Sequence, residues 1–282
     1  MPRIVMTLLV RDEADIIADN ILYHSRKGVD AFAVMDNGST DGTLDSLRAL
    51  ADHVEIRIIS NPDGVYQQAV WMTQLAMLAK NELGADFVIS NDADEFWVPK
   101  AGKTYTDYLR QSDSVITVKR TNAVFDERIL ESNYHYLQAR HAVIKPVNYS
   151  KQEQLLDDTV CMQLVPVGPK VIVKSRGLRR IKGGNHRAKH WNFFGRRMEN
   201  GIRVIHFPIR SREQFFANIR HRASLLDQRA DMGVHYKRWV RYYREGRLEE
   251  EFERMLIRRD AADYLEKIGV LAKLDHDISV AK

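Results

Sequence analysis

The chain has 282 residues, of which 44% are hydrophobic, so it can bury the core of one large domain but is short for two independent ones. Its formal net charge of +5 favours anionic partners, which include phosphate-bearing lipids and nucleic acid. The sequence contains one cysteine and no apolar stretch near the roughly 18 residues that a bilayer span needs, which excludes an internal disulfide and a membrane-spanning helix.

The single cysteine, Cys161, fits a reducing compartment. Residues 4–10 form a strand-like run that lacks the basic region, the long apolar stretch and the cleavage site of a signal peptide. We therefore expect a cytoplasmic protein whose only membrane association would be peripheral, at the inner face of the membrane.

The first hundred residues alternate strand-like and helix-like segments, which is the pattern of an open, mostly parallel sheet with flanking helices. Apolar residues recur every three or four positions from Ala69 to Leu83, which predicts a crossover helix. Another helix is predicted after Asp12, a candidate N-cap, and it should end near Gly28. The predicted strands are residues 4–10, 31–35, 54–60 and 86–90.

Beyond residue 100 the regular alternation ends, and isolated strands are followed by a helical C-terminal part. The strands are predicted at residues 115–119, 170–174 and 203–207. A helical pattern begins at residue 211. We predict an α/β domain over residues 1–210 and a helical extension, packed on it, over residues 211–282.

Acidic side chains follow the second and fourth predicted strands. In an open α/β sheet ligands bind outside the carboxyl ends of the strands, so these loops are expected to lie along one edge. Asp92 and Asp94 stand two residues apart, which puts both carboxylates on one face if the backbone stays extended. Mg²⁺ and Mn²⁺ prefer oxygen ligands and commonly use one or two carboxylates together with substrate phosphates. The pair therefore predicts a divalent-metal site.

Three segments resemble, in order and spacing, the family 2 glycosyltransferases and their close relatives: residues 9–13 (LVRDE), 36–43 (DNGSTDGT) and 91–96 (NDADEF). Residues 204–207 (VIHF) and 210–215 (RSREQF) resemble a weaker motif of a single-domain branch. The resemblance implies the A-type glycosyltransferase fold, which is Rossmann-like with a mixed central sheet. It also implies metal-dependent transfer of a sugar, with inversion, from a nucleotide-diphosphate donor to a glycan, lipid-linked or polysaccharide acceptor.

The same resemblance implies a pocket for the donor nucleotide, with UDP the favoured carrier. Asp36 would contact the base or ribose, because a carboxylate can accept from a base N–H or a ribose hydroxyl. Residues 36–42 could instead form only a helix-entry turn, in which Ser39 or Asp41 caps the next helix. The residues implied to bind the nucleotide are Val10, Arg11, Glu13, Asp36 and Asn37.

For the metal, the resemblance implies that Asp92 faces the ribose and the ion, that Asp94 is the direct ligand, and that Ala93 belongs to the same donor-binding loop. A-type enzymes often complete the metal shell with a distant C-terminal histidine. His206, at the end of a predicted strand, is the best candidate, and His186 is the alternative. The predicted cofactor is Mn²⁺ or Mg²⁺, and a histidine ligand favours manganese.

No motif marks the catalytic base, since the Glu-Asp pair that the family usually carries after the metal motif has no clear match. Asp157 and Asp158 follow a predicted helix and are candidates for the base, although each could be a surface-loop residue. His186 is another candidate. Glu95 is interpreted as a supporting residue, which either holds the loop through backbone N–H groups or contacts substrate.

Two basic segments have alternative interpretations. The Lys and Arg residues between positions 174 and 197, with Trp191 among them, could clamp a diphosphate or form a solvated face. In the C-terminal helices, basic residues lie beside Trp239, Tyr242 and Tyr243. These aromatic residues could rest on an anionic membrane, or they could belong to the core beneath a basic exterior.

Three other functions are weighed against sugar transfer. A sugar nucleotidyltransferase of related fold would need a glycine-rich loop after the first strand, but residues 11–15 contain no glycine. Nucleic-acid binding fits the basic charge, but the acids around Asp92 would repel a phosphate backbone, so we predict no nucleic-acid partner. A catalytically inactive relative that still binds a sugar nucleotide would keep the fold without the transfer.

Overall fold

The computed structural model describes residues 1–61, 67–228 and 233–278, with the side chains of 227 and 228 left out. The chain divides into two compact units. The first comprises Met1–Arg120, Gly168–His206 and His276–Lys282, and the second comprises Thr121–Val167 and Phe207–Asp275. The chain passes from the first unit to the second between residues 206 and 207, near the predicted boundary at 210. The second unit also contains Thr121–Val167, which lies within the range predicted for the α/β domain.

Strands and helices alternate at the start of the chain and helices dominate its end. The strands are β1 (Ile4–Val10), β2 (Ala31–Asp36), β3 (Glu55–Ser60), β4 (Phe87–Asn91), β5 (Glu95–Pro99), β6 (Val115–Val124), β7 (His141–Val143), β8 (Lys170–Lys174), β9 (Leu178–Ile181), β10 (Ala188–His190), β11 (Arg196–His206) and β12 (Leu271–Lys273). The α-helices are α1 (Ile17–Arg26), α2 (Thr43–Leu50), α3 (Gln68–Asn81), α4 (Lys151–Leu156), α5 (Arg212–Gln228), α6 (Val234–Arg244), α7 (Leu248–Met255) and α8 (Arg259–Lys267).

The first unit is built on a mixed sheet. Strand β1 lies between β2 and β4 and is parallel to both, and β3 extends the sheet in parallel beyond β2. Strand β8 is antiparallel to β4, and the start of β6 is antiparallel to β8. Strands β5 and β11 pair antiparallel to each other, as do β9 and β10. The predicted α/β class with a mixed central sheet is confirmed.

Apolar burial explains why this sheet forms where the sequence predicts it. Strands β1, β2 and β4 are almost entirely buried, as expected for parallel strands covered on both faces. Helix α3 packs on one face through Trp71, Met72, Leu75, Ala76 and Ala79, three of which (Met72, Ala76 and Ala79) belong to the predicted stripe. Six of the seven predicted strands begin within one residue of their predicted starts, and the seventh, β11, begins seven residues before residue 203.

The second unit has a helical core of its own. Helices α5, α6 and α7 bury Phe215, Trp239, Tyr242 and Phe252 together. Arg238 is also buried, and its guanidinium donates to both carboxylate oxygens of Glu251 at 2.6 and 3.0 Å. Trp239 and Tyr242 are therefore core residues, which is the second of the two interpretations given above, whereas Tyr243 is 37% exposed. In the described part of the chain, none of the helices has the length and apolar character needed to cross a membrane.

Candidate functional site

The carboxyl ends of the parallel strands bring the predicted site segments to one edge of the first unit. Val10 lies opposite Asp36 in the β1–β2 register, and Leu8 lies opposite Asn91 in the β1–β4 register. Residues 11–13, 37–43 and 92–94 therefore leave the sheet side by side. This is the edge at which ligands bind in open α/β sheets.

The loops after β1 and β2 are joined by hydrogen bonds. Arg11 Nη1 donates to the Asn37 carbonyl at 2.8 Å, and the Glu13 N–H donates to Thr43 Oγ1 at 2.8 Å. Asp36 is buried and accepts from the Gly38 and Ser39 N–H groups, both at 3.2 Å. These hydrogen bonds tie the two loops to each other and to the end of β2. Contact of Val10, Arg11, Glu13, Asp36 and Asn37 with a nucleotide stays a prediction.

The helix-entry role considered for residues 36–42 has partial structural support. Gly42 is the N-cap of α2, with φ of 94°, a left-handed conformation that glycine adopts without strain. Asp41 Oδ1 accepts from the Thr43 N–H at 3.0 Å, and its other oxygen accepts from the Ala14 N–H at 3.0 Å. Asp41 thus ties the start of α2 to the loop after β1.

Asp94, Glu95 and His206 form a group that can hold a metal ion. One ligand atom from each residue lies within 4.8 Å of the other two. His206 Nε2 lies 3.2 Å from Asp94 Oδ2, and Glu95 is the β-pairing partner of His206. A carboxylate and an imidazole are suitable ligands for Mn²⁺, so Asp94 and His206 fit the predicted ion, and Glu95 adds a second carboxylate that Arg120 and Lys170 also contact. Among the described residues, this is the only such group of three or more.

Asp92 points to different partners. Its Oδ2 accepts from Lys170 Nζ, and its Oδ1 accepts from Asn185 Nδ2 at 3.0 Å. Lys170 is completely buried and also lies 3.0 Å from Glu95 Oε2. Asp92 is therefore held by a lysine and an amide beside the group of possible metal ligands, and it is not a member of that group.

Two cations offset the buried acids. Arg120 Nη1 donates to Glu95 Oε1 at 2.6 Å, and Lys170 contacts both Asp92 and Glu95. Burial by itself would lower the pKa of Arg120, but Glu95, Asp92 and Asp94 outweigh burial and raise it. Lys170 and Arg120 thus offset the charge of Asp92 and Glu95, and Asp94 faces His206 instead.

Asn185 offers an acceptor next to this cluster. Its side chain is fully buried, and its Oδ1 has no hydrogen-bond partner among the described residues. Buried polar atoms without a partner are uncommon and often mark a ligand site. The turn that carries Asn185 is left-handed at two positions, with φ of 69° at Gly184 and 57° at Asn185, and asparagine tolerates that conformation better than most residues.

A buried polar network fixes the loop that contains the acids. Asn20 Nδ2, from α1, donates to the carbonyls of Ala93 and Glu95, both at 2.8 Å. Trp97 Nε1 donates to Asn91 Oδ1 at 2.8 Å, and the Trp97 N–H donates to His24 Nε2 at 3.1 Å. His24 Nδ1 therefore carries the proton and donates to the Asn20 carbonyl at 2.7 Å. Such networks hold ligand-bearing loops in one geometry.

We expect His24 to make stability depend on pH. Burial lowers its pKa from 6.5 to about 3. Between these values the unfolded chain binds a proton that the folded protein does not, so the free energy of unfolding falls as pH falls below 6.5, by at most about 1.4 kcal/mol per pH unit. Urea unfolding at several pH values measures this slope. His24→Gln should flatten it, exposed His53→Gln should leave it unchanged, and an equal slope in both variants would contradict the assignment.

His186 has a different environment from His206. Its Nδ1 lies 2.8 Å from the Pro169 carbonyl, and it lines an open cleft with Lys182, Arg187 and Lys189. Burial, Lys170 and Arg120 lower its pKa, so the neutral form is favoured. The group of possible metal ligands in the described chain includes His206 and not His186.

Asp157 and Asp158 belong to the second unit and have local structural roles. Asp157 Oδ1 accepts from the Thr159 N–H and hydroxyl at 2.8 and 2.7 Å, and Asp158 accepts from the Tyr242 hydroxyl and from Arg247. These hydrogen bonds lower the pKa of both carboxyls. A lowered pKa weakens a general base, so this geometry favours the surface-loop role considered above.

The sequence interpretation missed Lys170, Arg120, Asn185, Asn20 and His24. A signal existed for Lys170 alone, since a lysine at the start of the apolar run at residues 170–174 predicts a buried charge that needs an acid. The others lie in segments whose pattern does not distinguish them from surface or capping residues.

No protein-family model matches the sequence, and a comparison with curated proteins gives no match. Solved structures with similarity include TarS residues 1–349 from S. aureus, at 11% identity over 89% of this chain and 71% of that chain, with a TM-score of 0.44. The same TarS fragment in complex with UDP-GlcNAc is 12% identical over 89% of this chain and 72% of that chain, with a TM-score of 0.44. Glucosyl-3-phosphoglycerate synthase from Mycobacterium tuberculosis, in complex with Mn²⁺, UDP-glucose and phosphoglyceric acid, is 18% identical. The match covers 62% of this chain and 57% of that chain, with a TM-score of 0.34. At these values we base the function on the geometry of the site.

Proposed function

We propose that this chain is a metal-dependent glycosyltransferase with the A-type fold, which takes a sugar from a nucleotide-diphosphate donor. The observation that carries the proposal is the convergence of Asp94, Glu95 and His206 within 4.8 Å beside Asp92, next to the loops that follow β1 and β2. A metal group at the carboxyl edge of a parallel sheet suits a ligand with a diphosphate.

Asp94 and His206 would hold the ion, which we propose to be Mn²⁺ or Mg²⁺, with the imidazole favouring manganese. When bound, the cation acts as a Lewis acid that neutralises charge on the departing diphosphate. Glu95 stays behind these two residues, because its Oε1 accepts from Arg120 and its Oε2 forms an ion pair with Lys170. Its role is to position the neighbouring Asp94 and to hold the two cations near the donor phosphates.

The donor nucleotide would lie on the loops after β1 and β2, with Arg11 and Glu13 on one side and Asp36 and Asn37 on the other. These loops are linked by hydrogen bonds, so their groups are ordered before binding and less conformational entropy is lost. Ala93 is buried next to Asp92, where the chain passes close to the site. UDP is the carrier we favour, the acceptor is a glycan or lipid-linked saccharide, and the outcome is inversion.

A thermal-shift screen of nucleoside diphosphates tests the proposal. With Mn²⁺, we expect UDP or GDP to raise the melting temperature, because a ligand that binds only the folded protein at 100 times its Kd adds about 2.7 kcal/mol of stability. With EDTA in place of Mn²⁺, the shift should disappear. Uridine is the matched control, since it lacks the diphosphate. A diphosphate shift of the same size in EDTA would contradict the metal's role, and the absence of any shift would contradict donor binding.

A further inference from the structure

The loop between β10 and the start of β11 carries an apolar surface that the first unit leaves exposed. We call residues 191–198 the aromatic loop. The exposed fractions are 67% for Trp191, 70% for Phe193, 99% for Phe194 and 64% for Met198. A contiguous group of large exposed apolar side chains on a folded protein commonly marks an interaction site.

Cations surround the aromatic loop. The Arg179 guanidinium lies over the Trp191 ring at 4.2 Å from its centroid, and Arg196 lies over Phe193 at 5.9 Å. Residues 168–198 contain no Asp or Glu. The exposed cations of this segment are Arg176, Arg179, Arg180, Lys182, Arg187, Lys189 and Arg196. The surface is therefore positive as well as apolar, and it attracts anions over a range of about 10 Å at about 0.1 M salt.

A cationic cleft adjoins the loop. It has a volume of about 250 Å³ and is lined by Lys182, Arg187, Lys189 and Arg196, with His186 and Thr117 among its other walls. Arg196 belongs both to the cleft and to the aromatic loop. Four cations without a carboxylate among the lining residues form a suitable site for a phosphate group.

We propose that the aromatic loop and the surrounding cations dock the protein on an anionic lipid bilayer. Trp and Phe side chains insert at the boundary between headgroups and acyl chains, and Lys and Arg beside them bind anionic headgroups. The aromatic loop supplies the side chains that insert, and the exposed cations bind the anionic headgroups. The cleft accepts a headgroup phosphate.

The geometry favours a bilayer over single-stranded nucleic acid, which also binds to basic surfaces with aromatic residues. Bases stack on open ring faces, and Arg179 covers one face of Trp191 and so leaves fewer faces for stacking. Phe194 is exposed over its whole side chain, which fits insertion into a soft apolar phase.

The docking surface lies beside the candidate site. Asn185 donates to Asp92, and the next residue, His186, lines the cleft. A lipid-linked acceptor would therefore be held close to the donor. The docking inference does not rest on the proposed function, because binding to vesicles needs neither the metal nor a donor.

Sedimentation of the full chain with vesicles tests the proposal. We expect binding to vesicles of phosphatidylglycerol and phosphatidylcholine in equal parts, weaker binding at high salt, and none to pure phosphatidylcholine. The double variant Phe193→Ser/Phe194→Ser should weaken binding by roughly tenfold or more. Arg187→Gln/Lys189→Gln should also weaken it, because each cation near an anionic surface contributes to affinity.

The matched controls lie in the second unit. Tyr264→Ser removes an aromatic residue that is 62% exposed, and Lys267→Gln removes an exposed cation. Both should bind vesicles as the original chain does, and all variants should keep its melting temperature. The proposal is overturned if vesicles do not bind, if the two double variants bind as well as the controls, or if a single-stranded RNA oligonucleotide binds more tightly than the vesicles. It is likewise overturned if the loop proves to be a dimer contact that Phe193→Ser/Phe194→Ser dissociates.

Discussion

Replacing Asp94 with Asn is expected to lower the rate of sugar transfer by roughly 100-fold or more. Asn keeps the size of the side chain but removes the charge that lies 3.2 Å from His206 Nε2. A bound divalent ion contributes several kcal/mol of charge stabilisation, and each 1.4 kcal/mol corresponds to about a factor of ten in rate. The same change should abolish the stabilisation by UDP or GDP that depends on Mn²⁺.

The measurement is release of nucleoside diphosphate from the donor at increasing Mn²⁺, together with the thermal shift. Asp52→Asn is the matched control, because Asp52 is an exposed aspartate on the first unit. Asp52→Asn should change neither the release of nucleoside diphosphate nor the thermal shift. If Asp94→Asn retained both the activity and the shift at low Mn²⁺, Asp94 would not be a ligand of the ion and the proposed mechanism would fail.

Replacing Lys170 with Met is expected to lower the free energy of unfolding by about 3–5 kcal/mol. Lys170 is completely buried between Asp92 and Glu95, and removing one partner of a buried charge group leaves the others uncompensated. Arg120 still pairs with Glu95 in the variant, so the charge of Asp92 loses more compensation than the charge of Glu95 does. Urea denaturation monitored by circular dichroism gives the free energy.

Lys174→Met is the control for this variant. Lys174 lies on the same strand and the same face, but it is only partly buried and donates to the carbonyl of Gln111 at the edge of the unit. We expect Lys174→Met to lower the free energy of unfolding by about 1 kcal/mol or less. Equal losses of unfolding free energy in the two variants would mean that the buried position of Lys170 beside Asp92 and Glu95 adds nothing to its contribution to stability.

Together these two variants separate two kinds of positive charge at the site. Lys170 and Arg120 are permanent cations of the protein that contact Asp92 and Glu95. The divalent ion is an exchangeable cation that Asp94 and His206, both partly exposed, would bind. Loss of a permanent cation should change stability, whereas loss of an ion ligand should change activity.

The sequence by itself determined the α/β class and the position of the acids. Strands β1, β2 and β4 are short apolar runs bounded by turn residues, and the α3 stripe repeats at helical spacing. These signals are local, because the period of side chains along a strand or helix depends only on neighbouring residues. Asp36, Asp92 and Asp94 follow such strands directly, so their common edge could be predicted.

Only the tertiary structure decided which distant residues surround those acids. His206 reaches Asp94 across 112 positions, because β11 pairs with β5, a strand that the sequence did not reveal. Lys170 is 78 positions from Asp92, and β8 brings it there by pairing with β4. Periodicity shows that a segment is a strand but not which strand it pairs with, since many apolar strands offer equivalent edges. The acidic residues are thus a property of the sequence, and their cations and histidine are a property of the fold.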